Sequence, residues 1–170
     1  MKKFFSLLAV AAFAFAAHAQ KYALIDMDYI MSNIPAYERA GEQLNQTSKK
    51  WQAEVEAVDQ QAKTLYKNYQ NEAAFLSEEQ KKDREQAIVD KEKEAAELKK
   101  KYFGPQGELY KKRVALLEPI QDEIYNAVKS VAQLRGYQLV VDRAADNGII
   151  FASPSIDISA EVLARLGYAE

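Results

Sequence analysis

From Pro35 to Gly136 apolar residues keep helical spacing with almost no loop signal, and the run divides once, between Leu76 and Ser77. Upstream, Leu44, Trp51, Val58 and Leu65 recur every seven residues, and Ser48, Val55, Ala62, Tyr69 and Leu76 form a second row of the same period. The two rows give the alternating four-three spacing of a coiled-coil seam. Downstream, Ile88, Ala95, Tyr102, Leu109 and Leu116 repeat with that period. Folding the chain back at Leu76/Ser77 as an antiparallel hairpin puts Leu65 opposite Ile88, Val58 opposite Ala95, Trp51 opposite Tyr102 and Leu44 opposite Leu109. Every pair of numbers sums to 153, with its midpoint at the proposed turn. Turn chemistry agrees independently: Ser77-Glu78-Glu79-Gln80 reads as a capping box that starts a helix.

The flanks carry a different pattern. Lys21 to Asp26 reads as a short strand, and Met27, Ile30, Met31 and Ile34 predict a short helix ended by Pro35. The first long helix is predicted from Ala36 to about Phe75. The return arm to Lys101 is charged, with Ile88, Val89 and Leu98 as its large aliphatics, so it has one narrow contact stripe. Glu78/Lys82 and Glu97/Lys101 are expected ion pairs at helical spacing. Phe103-Gly104-Pro105-Gln106-Gly107 interrupts the arm while the seven-residue frame continues from Tyr102 to Leu109, which predicts a kink or bulge; Pro119 is a second kink candidate. Ile120, Ile124, Val128, Val131 and Leu134 thicken the stripe at the helix base, and Gly136 ends it. Tyr137 to Asp142 is a predicted strand, Ala145-Asp146-Asn147-Gly148 a turn, and Gly148 to Ala152 a third strand. Ser159 is expected to cap a last helix to about Leu166, with Ile158 and Leu163 as a staple.

The expected fold class is α+β, mostly α. A leader (1–19) precedes an assembly body (20–35 and 136–170) whose apolar strand positions are Leu24, Ile25, Leu139, Val141, Ile149 and Phe151. A long antiparallel coiled-coil hairpin (36–135) projects from it, with its tip at 76–77 and its base at 114–135 packed on the body. Three strands bury little apolar surface, which favours oligomerisation with strands joined between subunits.

Composition and charge narrow the function. Lys2 and Lys3, the apolar run Phe4 to Ala17 and Ala17-His18-Ala19 form a secretory signal with cleavage expected after Ala19. The apolar run is 14 residues, short of the roughly 20 that span a bilayer. Loss of the leader moves the formal charge from −2 to −4 and removes the one His; Cys is absent. The exported chain thus offers no disulfide, zinc–thiolate or imidazole chemistry. Its acidic charge argues against nucleic acid as a partner.

Candidate chemistry is sparse. Leu24-Ile25-Asp26-Met27-Asp28-Tyr29 resembles the nucleophile loop of haloacid-dehalogenase-type phosphatases, but Tyr29 departs from that motif and no parallel βα sheet follows. Asp26 or Asp28 reads instead as a helix cap. Asn45-Gln46-Thr47 matches a glycosylation acceptor by chance, mid-helix. No phosphate loop, nucleophile elbow or metal cluster is present, so no cofactor, metal or catalytic residue is expected. The carboxylates read as a solvated helix face. Trp51, Tyr69 and Tyr102 are seam residues. Tyr66, Phe75, Phe103 and Tyr110 fall off the seam rows and, with Leu76 at the tip, are the candidate binding residues.

The order of these elements, and in particular Tyr22–Asp26 with Ile34-Pro35-Ala36-Tyr37, Leu117-Glu118-Pro119-Ile120, Gly136-Tyr137-Gln138-Leu139-Val140-Val141-Asp142 and Pro154-Ser155-Ile156-Asp157-Ile158-Ser159, resembles the Skp/OmpH family of periplasmic chaperones for outer-membrane proteins. The resemblance covers the whole mature chain. It implies a homotrimer whose small β-barrel body carries three helical tentacles, an ATP-independent holdase that keeps an unfolded outer-membrane protein in the cavity between them. Well-known members are strongly basic. Here the charge is acidic, so apolar patches are the expected grip. Expected partners are unfolded outer-membrane proteins and further copies of the chain, with transient membrane-surface contact also compatible. The competing expectation is a structural or adaptor protein of the envelope whose hairpin docks one folded partner.

Overall fold

The computed structural model describes residues 21–145 and 148–168. The predicted leader and the Asp146-Asn147 turn lie outside them. In chain order the elements are β1 (Tyr22–Ile25), α1 (Met27–Ser32), α2 (Pro35–Glu72), a 3-10 turn (Ala73–Phe75), α3 (Glu78–Phe103), α4 (Glu108–Arg135), β2 (Leu139–Asp142), a second 3-10 turn (Pro154–Ile156) and α5 (Ser159–Leu166). The chain forms two compact units. One holds the residues up to Asn33 together with those from Glu123 onward, and the other is Ile34–Asp122.

The Ile34–Asp122 unit is an antiparallel helical hairpin. Pro35 opens α2 at its first turn, where its missing N–H is harmless. Ser77 ends the turn with a complete capping box: its hydroxyl accepts from Gln80 N at 3.2 Å, and the Gln80 side chain accepts from Ser77 N at 2.9 Å. The register between the arms is visible in the rings. Trp51 and Tyr102 stack with centroids 4.7 Å apart and planes 1° from parallel. The seam between them is thin. Ala62, Ile88 and Ala95 are buried, whereas Leu65, Val58, Val55 and Trp51 are only half-buried.

Two expectations are corrected in this unit. The Gly104–Gly107 stretch breaks the helix outright: α3 ends at Phe103 and α4 restarts at Glu108. Gly104, ahead of Pro105, is extended (φ −62°, ψ 167°), as the residue before a proline prefers, and both glycines of the break sit where the backbone leaves no room for a side chain. A Cβ at Gly104 would lie 2.4 Å from Lys100 O, and one at Gly107 would lie 2.8 Å from both Lys101 O and Tyr102 O. Helix α4 is continuous through Pro119, the second kink candidate. The ion pairs also differ by one turn's choice. Glu78 pairs with Lys81 and Glu97 with Lys93.

The other unit is built on a two-stranded parallel sheet in which Tyr22 faces Leu139 and Ile25 faces Asp142. A parallel pair needs a long crossover, and here everything from α1 to α4 provides it. On its other side β1 meets the chain again, because Ile158 N donates to Leu24 O at 2.9 Å. Ile30, Ile124, Val131 and Val162 are the largest fully buried side chains, each contributing about 2 kcal/mol of apolar burial. Gly136 (φ +72°) closes α4 in a Schellman turn, with Tyr137 N donating to Ala132 O at 2.9 Å.

The predicted third strand is absent. Residues 148–152 have no strand structure, and Ile150 and Phe151 are 101% and 84% exposed. A strand needs a hydrogen-bonding neighbour, and no described strand pairs with 148–152: β1 is flanked by β2 and Asp157, and the sheet ends at β2. Ser159 does not cap α5 either. It is buried as the first helical residue, and its hydroxyl accepts from Asp26 N at 2.8 Å. The N-cap position falls to Ile158, which makes no side-chain cap bond, and the Asp157 carboxylate before it accepts from Ser159 N at 2.9 Å.

Candidate functional site

The hairpin presents its off-seam aromatics to solvent. Phe75 in the tip turn is 88% exposed, Tyr66 on α2 is 50% exposed and Tyr110 on α4 is 53% exposed. Seven-residue periodicity accounts for this: α2 and α3 share one seam, and residues outside the two rows face away from it. Leu76 and Phe103 are half-buried. Phe103 stands edge-on to Tyr102 with centroids 6.3 Å apart. The five residues are strung along the hairpin from the tip to the helix break.

Among the grooves within the hairpin, two are lined by seam residues named above. One of about 400 Å³ is lined by Leu44, Leu109 and Leu117 together with Tyr37, Ser48 and Arg113. A larger one, of about 740 Å³, includes Val55, Ala95 and Phe103. The carboxylates around the larger groove were invisible to the sequence reading, which treated them as a uniformly solvated face.

Polar contacts hold the arms together at discrete points. The Tyr102 hydroxyl donates to Glu54 at 2.8 Å, and Lys101 Nζ lies 5.5 Å from the Tyr102 ring centroid. Tyr69 donates to Glu85 across the hairpin, and Arg84 pairs with Glu72 at 3.4 Å near the tip. The accepting carboxylates raise the hydroxyl pKa of Tyr102 and of Tyr69 above 10.0, because the neutral phenol is the form that can donate.

In the sheet unit the acidic loop after β1 is structural. Asp26 caps α1 by accepting from Tyr29 N at 2.9 Å. Arg143 bridges Asp26 at 3.0 Å and Asp157 at 3.2 Å, tying the ends of β1 and β2 to the start of α5. The Tyr29 N–H, and then Arg143, hold the Asp26 carboxyl below its ordinary value of 3.8. Asp142 accepts from Met27 N and Ala144 N, both at 3.0 Å. Among the described residues no cluster of His, Cys, Asp and Glu has the arrangement of a metal site. No described helix is long and apolar enough to cross a membrane.

The sheet unit also exposes apolar surface. Of the positions expected in the assembly body, Leu24 and Ile25 are buried and Val141 half-buried, but Leu139, Ile149 and Phe151 are exposed. Leu134 at the end of α4 is 76% exposed. The sheet order leaves the outer edge of β2 without a strand neighbour among the described residues.

Residues 21–166 match the family model described as Outer membrane protein (OmpH-like). The chaperone protein Skp of Yersinia enterocolitica is 27% identical over 94% of this chain and 93% of that protein. Skp of Pectobacterium atrosepticum is 23% identical over the same shares. An OmpH-like outer membrane chaperone from Caulobacter crescentus has the same fold, with a TM-score of 0.70 at 13% identity across 89% of this chain and 86% of that one.

Proposed function

Because the chain belongs to the OmpH-like outer membrane protein family, in which its curated relatives are Skp chaperones, we propose that it is a periplasmic, ATP-independent holdase for unfolded outer-membrane proteins. The observation that carries this reading is the exposed aromatic surface of the hairpin, with Phe75 almost wholly in solvent. Such side chains offer dispersed weak contacts, so a client is held without being trapped. Tyr66, Phe75, Leu76, Phe103 and Tyr110 are the contacts we assign, and the role is binding, with no catalytic step.

The working form is a homotrimer whose three hairpins enclose the client. Support comes from the edge of β2 that has no strand neighbour among the described residues and from exposed Leu139, Ile149, Ile150 and Phe151, since such an edge with apolar neighbours invites strand pairing between copies. Under this reading residues 148–152 become a strand on assembly, and the leader is cleaved on export.

The test is dilution of a urea-unfolded outer-membrane β-barrel into buffer with an equimolar amount of assembled protein and no nucleotide. The barrel should stay soluble, and sedimentation equilibrium should give a trimer that Ile150→Asp converts to monomers. A stable monomer, or a barrel that aggregates regardless, rejects the proposal. Pull-down from envelope extract separates the adaptor reading, which requires one folded partner held tightly.

A further inference from the structure

We propose that the 740 Å³ groove between α2 and α3 receives client segments in which apolar side chains are interleaved with Lys or Arg. This rests on the chaperone reading and deepens it by naming the chemistry of the segment held. The groove exists because the seam loses volume there. Leu65 and Ile88 give way to Val58 and Ala95 one repeat further from the tip. Its apolar lining is Val55, Ala95, Ala96 and Phe103. Its size falls in the ~300–1,000 Å³ range of sites that take a ligand.

Charge decides the occupant. The groove is rimmed by Glu56, Asp59 and Glu92 against a single cation, Lys99. Lys63 neutralises Asp59, and Glu56 accepts from the Gln60 amide at 2.7 Å. Glu92 has no ion-pair partner among the described residues, and the lysines beside it are engaged elsewhere. Lys91 pairs with Glu94 at 2.7 Å and Lys93 with Glu97 at 3.9 Å. With Asp59 paired to Lys63, Glu56 and Glu92 outweigh Lys99, and the rim keeps a net negative charge next to an apolar lining. An acidic segment is repelled, a neutral one gains only apolar contact, and a basic-apolar one gains both.

The experiment uses the full chain and three fluorescent peptides with the same Phe, Leu and Val residues, interleaved with Lys, Gln or Glu. At low salt the Lys peptide should bind about two-fold tighter than the Gln peptide, the worth of one net exposed ion pair. The Glu peptide should bind weakest, and high salt should erase the differences. Glu56→Gln with Glu92→Gln, which leaves Lys99 as the rim's unpaired charge, should bring the Lys-to-Gln ratio to one or below. Ala96→Leu, at an exposed helical position, should weaken all three peptides without unfolding the hairpin.

Equal binding of the three peptides, or a charge preference that survives the double substitution, overturns the proposal. So does a change of oligomeric state in the double variant without peptide competition, which would mean that a second copy covers the groove. Retention of an unfolded barrel is measured in parallel. If the barrel is held and the peptides show no preference, the groove assignment fails and the holdase stands. If the preference appears and the barrel aggregates, the groove assignment stands and the holdase fails.

Discussion

The stack of Trp51 on Tyr102 fixes the register of the hairpin and can be tested as a pair. The rings lie 4.7 Å apart and parallel, an arrangement worth about 0.5–1.5 kcal/mol beyond the area it buries. Trp51 is half-buried, so Trp51→Ala should destabilise by about 2 kcal/mol, below the 3–5 kcal/mol of a fully buried aromatic. If the two rings support each other, Trp51→Ala and Tyr102→Ala together should cost about 1 kcal/mol less than the sum of the single changes. Urea unfolding of the four species by circular dichroism measures the cycle. Trp51 is the one tryptophan in the chain, so its fluorescence reports the local contact independently. Tyr102→Phe keeps the ring and removes the hydroxyl bond to Glu54, so it should preserve the coupling. That hydroxyl titrates above the ordinary 10.0 in the fold. Its contribution is therefore complete below pH 10 and lost as pH rises through the folded value, and Tyr102→Phe should remove this alkaline loss. Additive single changes would refute the register inferred from the pair.

Gly107→Ala should destabilise by about 1–3 kcal/mol, because its Cβ meets only backbone, which cannot swing aside. Gly41→Ala, in open space within α2, should instead stabilise by about 0.5–1 kcal/mol; thermal denaturation of both checks the contrast, and equal effects would contradict it. Asp26→Asn should lower stability at neutral pH. Because the folded carboxyl titrates below 3.8, its stabilisation is present above that value and lost as pH falls through the folded one, so the gap to the native protein should close in acid. Phe75→Ala should change stability by less than about 0.5 kcal/mol, given its exposure, and should reduce the amount of unfolded barrel kept soluble in a light-scattering assay. Unchanged capacity would remove Phe75 from the client surface.

Local chemistry made much of this fold legible. The paired seven-residue rows, the Ser77/Gln80 box and the glycine after α4 each have a mechanism within a few residues of sequence, and the structure contains all three. What was not legible depends on distant partners. Residues 148–152 have the β-branched and aromatic composition of a strand, but composition cannot say whether a pairing neighbour is available. The clean helix break at 104–107 is masked in the sequence by the seven-residue frame, which continues across it from Tyr102 to Leu109. The exposure of Tyr66, Phe75 and Tyr110 follows from their place off the seam rows. The charge around the larger groove does not, since Glu92 looks like its neighbours until their ion pairs are known.

The thinness of the seam links stability to grip. Within α2 and α3 the buried apolar residues are Ala40, Ala62, Ile88 and Ala95, three of them alanines that bury little area. The hairpin therefore depends on half-buried side chains such as Trp51, Val58 and Leu65, whose outer faces stay available beside the seam. A thicker seam would strengthen the arms and close the groove that Ala95 leaves open. It would also withdraw apolar surface from solvent, leaving less for an unfolded chain to touch. Each added contact of about 1.4 kcal/mol slows release tenfold at constant association rate. A surface that must let its client go is better served by many half-exposed residues than by one deep pocket. Under the holdase proposal, the small side chains at the seam serve function as much as structure.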